Sequence, residues 1–551
     1  MKINMIKKMI AAILSVFLFI PCFETMAAEN KGDYINVRIN GGLIDTDQPP
    51  IIVNDRTLMP MRILFEKLGA EVLWDENTQT VTANRNGESI SLSIGSENAV
   101  VNGVEKKLDA VPVIVGNRTM VPLRFIGEAF NATVEWDDVR RCANIFTIDK
   151  DVLASLKKLD SKYDVSLLDW LISLYDKESG GFYYAASARD TEGFEPDIES
   201  TYQAISGILF SVGICQRSYI DSSGQKAGTA NGVPETPEYF RNKAVKFMQD
   251  RQDPDDGYFY DKQFGKNVVD SKRERNLDQG KNLLASFDVK PLYPLPYERV
   301  SVNEKLRTAD GDSALPIQYT SEAEFKKWAD SLPWATDPYY CGNALVAGIN
   351  TINGTGLTDY VVKYITDRQN KVTGMWGEEC NFLALNAAMK LSYFYNQNTV
   401  PYPNVENMLK SVVEIVKKET PSTLSATWNP LALVRNARNS FPERKFPPEL
   451  QELINPHYAE LFNILADRVD AFKQPDNGYG YLPYGSSAKS QEATVSLGLR
   501  EGDVNGTYLA LLVRESAYNL AGISLIPLFD TEKECFWGKI EKVKPIIKIS
   551  N

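Results

Sequence analysis

Four short acidic groups in this sequence each stand just before a run of small and apolar residues. They are Glu195, Asp197 and Glu199; Asp337 with Tyr339 and Tyr340; Glu378 and Glu379 after Trp376; and Glu501 and Asp503 before Asn505. Hydrolysis of a glycosidic bond asks for two carboxyl groups in unlike states, one protonated to serve the leaving oxygen and one ionised to activate water or attack. Aromatic residues able to stack on sugar rings stand in the turns: Trp376, Tyr339, Tyr340, Tyr258, Tyr260, Tyr479, Tyr481 and Tyr484. The expected catalytic residues are therefore Glu199, Glu378, Glu379 and Asp503, and the expected substrate contacts are Tyr202, Tyr339, Tyr340, Trp376, Asn381 and Asn505. A structural reading competes with this one. Asp or Glu at a helix start caps it and complements its dipole, and turn aromatics fold back to pack a hairpin.

The elements that would position these residues repeat. From Gly180 to Gly213 the chain reads GGF, a polar loop, then PDIESTYQAISGILFSVG, in which Ala204, Ile205, Ile208 and Leu209 recur at helical spacing. A polar turn followed by an Ala-, Gly-, Leu- and Asn-rich helix returns from Asp337, from Gly374 and from Gly478. In the last copy Glu501, Asp503, Thr507, Tyr508 and Ala510 match Glu195, Asp197, Thr201, Tyr202 and Ala204, all 306 positions on. Amphipathic helices are expected at Ser166 to Tyr175, Pro237 to Asp250, Glu322 to Ser331, Leu357 to Asp367, Val405 to Lys418 and Tyr458 to Phe472. The four Ala- and Gly-rich helices are less amphipathic, as suits an inner layer covered on both sides. Roughly 375 residues at about 50–60 per helix pair give six or seven pairs. The expected fold over 163–537 is mainly α, an α/α toroid, with the loops entering its inner helices gathered at one mouth.

The turn Gly180, Gly181, Phe182 followed by Thr201, Tyr202 and Ala204 resembles the repeat of terpenoid cyclases and protein prenyltransferases, and similar turns occur in six-hairpin glycosidases and toroid polysaccharide lyases. The resemblance implies the α/α toroid. It does not extend to cyclase chemistry: the position of an Asp-x-Asp-Asp motif reads Asp197, Ile198, Glu199, Ser200, and a prenyltransferase zinc set has no histidine candidate beyond His457.

Residues 34–148 form a separate module of two related halves. NDRTLMPMRILFEKLGAEVLWD from Asn54 aligns with GNRTMVPLRFIGEAFNATVEWD from Gly116; Arg56, Pro60, Arg62, Trp74 and Asp75 pair with Arg118, Pro122, Arg124, Trp136 and Asp137, each 62 positions on. Each half reads as a strand, a turn, a helix started by its proline, and two strands meeting after the Trp-Asp turn. These residues resemble the copper amine oxidase N-terminal domain-like module of bacterial surface proteins, which implies a stalk or attachment role without catalysis. An oxidase is excluded by composition. Its copper needs three imidazoles, and the chain has one histidine, His457, expected at a surface or capping position.

At 551 residues the chain exceeds one ordinary domain, and 43% hydrophobic with 11% aromatic residues is the composition of a well-cored protein. Lys2, Lys7 and Lys8, the apolar run Met9 to Phe23, and Ala27 and Ala28 read as a secretory signal peptide over 1–28. Its removal takes a net +2 from a charge of −12, leaving −14. Five widely spaced cysteines then remain, which points to buried thiols rather than a disulfide framework. Asp253, Asp255 and Asp256 before Gly257 read as a plain turn, since the glycine falls a place early for a calcium loop. Residues 149–162 read as a charged linker, 538–551 as a tail, and Val268 to Thr320, with four prolines, as the least helical part of the second domain. The expected protein is exported and secreted or held non-covalently at a bacterial cell wall. Its toroid binds and cleaves a polysaccharide, a neutral one on the grounds of overall charge, with no metal, cofactor, nucleic acid or membrane span. The alternative is a non-catalytic glycan- or wall-binding scaffold.

Overall fold

The computed structural model describes residues 35–215, 219–220, 226–227, 236–298 and 316–546, and statements of absence below concern these residues. The expected signal peptide and the last five residues of the expected tail lie outside them. The chain divides into two compact units, one holding residues 44–130 with 136–143, the other 144–551 with 38–43 and 131–135.

In the first unit the repeat of the sequence becomes a pairing of its halves. Strands Ile51–Val53 and Arg56–Pro60 form one hairpin, Val113–Val115 and Arg118–Pro122 another, and the two meet through Met120 opposite Pro60 and Pro122 opposite Leu58. Their turns, Asn54-Asp55 and Gly116-Asn117, have positive φ at both positions, as a two-residue hairpin requires. Pro60 and Pro122 then stand at the starts of helices Met61–Lys67 and Leu123–Ala129. The second strand of each hairpin is an addition to the sequence reading. A five-stranded antiparallel meander from Glu71 to Lys107 follows the first half.

The second unit is helical around one continuous apolar core that runs from Phe146 to Ile540. All six amphipathic helices expected from sequence are present, as Ser166–Ser173, Glu238–Gln249, Glu322–Asp330, Thr358–Asp367, Val405–Lys418 and Tyr458–Asp470. Six further segments pack side by side: Asp270–Ser286 on Ile198–Tyr202 with its π-helical continuation Gln203–Leu209, that on Val504–Leu520, then Leu424–Asn439, Phe382–Asn398 and Pro338–Ala347. One of these corrects the sequence reading and one adds to it. Asp270–Ser286 opens the stretch read as least helical, and Leu424–Asn439 carries Pro430 inside a helix. Two boundaries also move. The linker 149–162 is the helix Lys150–Asp160, capped by Asp149 and buried at Val152, Leu153, Leu156 and Leu159, and Lys533–Lys542 runs across the expected start of the tail.

Four turns share one backbone pattern. The N–H of Asp176, Asp253, Asn370 and Gln474 donates across the turn to Gly181, Tyr258, Met375 and Gly478, at 2.8–2.9 Å. Residues 253–259, read from sequence as a plain turn, thus join the turns of the copies at Gly180, Gly374 and Gly478, while the copy read from Asp337 is not among these four turns. In two copies the glycine has a left-handed backbone and no room for a side chain: a Cβ on Gly180 would meet the backbone of Lys243, and one on Gly374 the backbone of Met408, within 3 Å. Each turn thus clips against an amphipathic helix.

The 306-residue match has a physical basis. Thr201 Oγ1 accepts the N–H of Phe182 at 3.0 Å, and Thr507 Oγ1 that of Tyr479 at 2.9 Å, both buried. Replacing Thr507 by valine keeps the shape and leaves the Tyr479 N–H unpaired. Urea unfolding is expected to show a loss of about 1–3 kcal/mol, with an unchanged m-value.

Candidate functional site

Five of the six packed helices begin with a side chain that accepts a backbone N–H of its own first turn: Asp197 from Ser200, Asp337 from Tyr340, Asn381 from Ala384, Thr423 from Ala426 and Asp503 from Gly506. These caps fix where each helix starts. The polar side chains just beyond them, with Lys272 and Arg275 of the sixth helix, form a linked cluster.

Glu199 lies at its base, 1% exposed at the side chain. Lys272 Nζ stands 3.1 Å from its Oε2 and Arg275 Nη1 2.6 Å from its Oε1, and Ser490 Oγ donates to Oε2 at 2.9 Å. Lys272, fully buried, also stands 3.9 Å from Asp261, whose carboxylate accepts the N–H of Ile198 at 2.7 Å and Asn276 Nδ2 at 3.1 Å. Gln203 Nε2 donates to Asn505 Oδ1 at 3.0 Å. Ser425 Oγ and Tyr481 Oη are 2.9 Å apart, and Asn429 Nδ2 donates to Asn386 Oδ1 at 2.8 Å. Lys390, one turn beyond Asn386 on the same helix face, places Nζ 6.0 Å from the centre of the Tyr339 ring. Three buried amide oxygens in this group have no partner among the described residues, Gln203 Oε1, Asn276 Oδ1 and Asn429 Oδ1.

The charges are strongly displaced from their ordinary behaviour. Burial works against ionised Glu199, but the Arg275 guanidinium and the Lys272 ammonium outweigh it and hold the carboxyl at about 2. Lys390 is pushed down to about 8, by burial first and by the Arg275 charge second. Tyr339 is raised, chiefly by burial and then by Tyr481. Asp503 is pushed up to about 7 by burial, although the N–H groups of Gly506 and Tyr481, at 2.6 and 2.7 Å, pull the other way. Tyr184 is raised well above its usual value by burial and then by the Asp503 and Glu199 charges, so the two carboxyls act on one phenol.

Four of the residues expected from sequence meet here: Glu199, Asp503, Tyr339 and Asn505. Tyr202, half-buried, precedes Gln203 at the entry to the π-helical turn. Glu378 and Glu379 are exposed on the turn before Phe382–Asn398, and neither shares a hydrogen bond or ion pair with the cluster; Glu379 accepts from Asn381 Nδ2 instead. Tyr340 points to solvent at 55% exposure. Trp376 is a core residue, 1% exposed, its Nε1 donating to the Ile365 carbonyl between Tyr395 and Tyr402. Asn381 is spent on its cap, and His457 is half-buried in the turn Asn455–His457, giving no side-chain cap. Cys215, Cys341 and Cys380 are thiols, the first two buried. Sequence reasoning missed Arg275, Lys390, Gln203 and Asn429. One signal was available for Lys390: it is the single charge in FLALNAAMKL, a helix start with no polar face to put it on.

The comparisons with known proteins concern the other unit. Residues 38–145 match the family model of the copper amine oxidase N-terminal domain. That domain contains no histidine here, and its one cysteine, Cys142, is buried, so its residues do not fit a copper centre. No curated protein matches the chain. The cluster, from Glu199 to Asn505, lies wholly beyond the matched span.

The Asp503 carboxyl gives a pH test. Its folded pKa is raised, so its contribution to stability is full below the unfolded value near 4 and is lost as pH rises through about 7. The amide introduced by Asp503→Asn does not titrate. The stability of the native protein relative to this variant is expected to fall by about 3 kcal/mol between pH 5 and pH 8, measured by urea unfolding at both values.

Proposed function

We propose that the row of six packed helices closes into an α/α toroid, and that the cluster at their starts binds and cleaves a polysaccharide outside the cell. One observation carries this reading. Side chains from all six helices bring amides, hydroxyls, three cations and a tyrosine ring to one place, with buried acceptors at Gln203 and Asn429 left without a partner. Sugar hydroxyls are the donors that such acceptors take, and a ring edge such as Tyr339 suits the apolar face of a sugar. A group able to move a proton near neutral pH stands in the same place, Lys390 at about 8. The unit that matches the copper amine oxidase N-terminal domain, which has no histidine for a copper centre, fits an attachment role at the cell wall.

A specific observation favours the second reading, a glycan-binding scaffold without catalysis. Glu199 is neutralised by Lys272 and Arg275, while Glu378 and Glu379 make no contact with the cluster, so hydrolysis by a carboxyl pair has no free pair to use. The protein is to be incubated with a panel of wall and plant polysaccharides, reading new reducing ends and the ultraviolet absorbance of unsaturated products. Cleavage of one glycan, reduced about 100-fold or more in Lys390→Met, is the expected outcome. Binding without either product supports the scaffold, and the absence of both binding and cleavage overturns the glycan reading.

A further inference from the structure

Among the described residues, Lys390 is the one cation of the cluster with no carboxylate within ion-pair distance. Lys272 and Arg275 face Glu199 and Asp261, two positive groups against two negative ones. Asp197 also borders Lys272 and is spent on its own helix cap, accepting from the Ser200 N–H at 2.8 Å and from Ser200 Oγ at 2.7 Å. None of these carboxylates pairs with Lys390. The fold makes room for it: a Cβ on Gly342 would come within 3.0 Å of the Lys390 Cβ, so the facing helix gives way just where the lysine stem passes. An ammonium held unpaired and largely out of water is costly unless a counter-charge arrives.

We infer that Lys390, with the exposed edge of Arg275, receives the carboxylate of a uronic acid residue, so that the glycan of this site is anionic. The inference rests on the glycan reading above and deepens it. Arg275 remains 34% exposed at the side chain while one of its nitrogens holds Glu199. That leaves further guanidinium donors for an oxygen that also faces Lys390. One unpaired ammonium suits a monoanion such as a carboxylate better than a phosphate dianion. Gln203 Oε1 and Asn429 Oδ1 would then accept hydroxyls of the same chain. The net charge of −12 does not oppose this, because charges more than about 8 Å away are screened at physiological salt and the local pair is not.

The test is calorimetric titration of the purified protein with matched pairs of oligosaccharides, polygalacturonate and glucuronoxylan fragments among them, each beside its carboxyl-reduced counterpart. The acid form is expected to bind at least about tenfold more tightly. Binding at pH 8.5 is expected to take up protons, because an arriving carboxylate raises the lysine pKa again. Lys390→Met is expected to remove both the preference and the proton uptake, while Lys390→Arg keeps the preference and loses the uptake, with circular dichroism reporting that each variant folds. Equal or tighter binding of the carboxyl-reduced partner overturns this inference and leaves the glycan reading standing. A preference that survives in Lys390→Met also overturns it, by placing the carboxylate elsewhere. No binding of either form in any pair overturns both.

Discussion

The helical unit depends on a fully buried ammonium. Taking the Lys272 charge out of water costs several kcal/mol unless partners surround it, and the partners it finds are structural anchors. Glu199 sits in the first turn of Ile198–Tyr202. Asp261 closes the turn before Asp270–Ser286 and accepts the first N–H of the neighbouring helix. Ser490, from the small hairpin Lys489–Ser490 with Ala493–Thr494, reaches the same Glu199 oxygen. One lysine thus holds two helix starts, and through the shared carboxylate a loop and a hairpin as well.

That arrangement decides which groups are left for chemistry. A carboxylate pinned at about 2 by two cations is a poor proton carrier at any physiological pH, so Glu199 serves the fold. Asp503 is held by its cap, and its raised pKa reflects burial rather than exposure to a ligand. The acids picked from the turns are thus consumed by capping or ion pairing, or else stand exposed outside the cluster. The groups that remain available are a lysine, an arginine edge, tyrosines and amides. Helix capping and catalysis draw on the same residue types at the same positions, and here capping takes most of the carboxyls.

The same competition explains what could be read from the sequence. The paired halves of the first unit and the six amphipathic helices were legible because their buried faces are apolar and recur at the right period. Asp270–Ser286 was hidden because its buried stripe is polar: Lys272, Asn276 and Gln279 occupy the spacing where leucines would be expected, beside Leu277 and Leu283. Leu424–Asn439 was hidden by Pro430 and by Asn429 and Asn436 on its buried face. Both helices supply the cluster. In these two helices the residues that supply the candidate site are also those that break the apolar pattern by which helices are recognised.

The π-helical turn Gln203–Leu209 shows how the fold accommodates such a residue. A π turn places one extra residue in the helix and rotates the residues before it against those after it. Up to its first residue, Glu199 and Gln203 face the charged and amide groups of the cluster; further along it, Ile205, Ile208 and Leu209 face the apolar core. Gly207 lies within the turn, where a Cβ would come within 2.4 Å of the Tyr508 ring on Val504–Leu520. Close approach of these two helices is what brings Gln203 within 3.0 Å of Asn505. A regular α-helix through this stretch would turn either the amide away from the site or the isoleucines away from the core, so the extra residue is the local condition for having both.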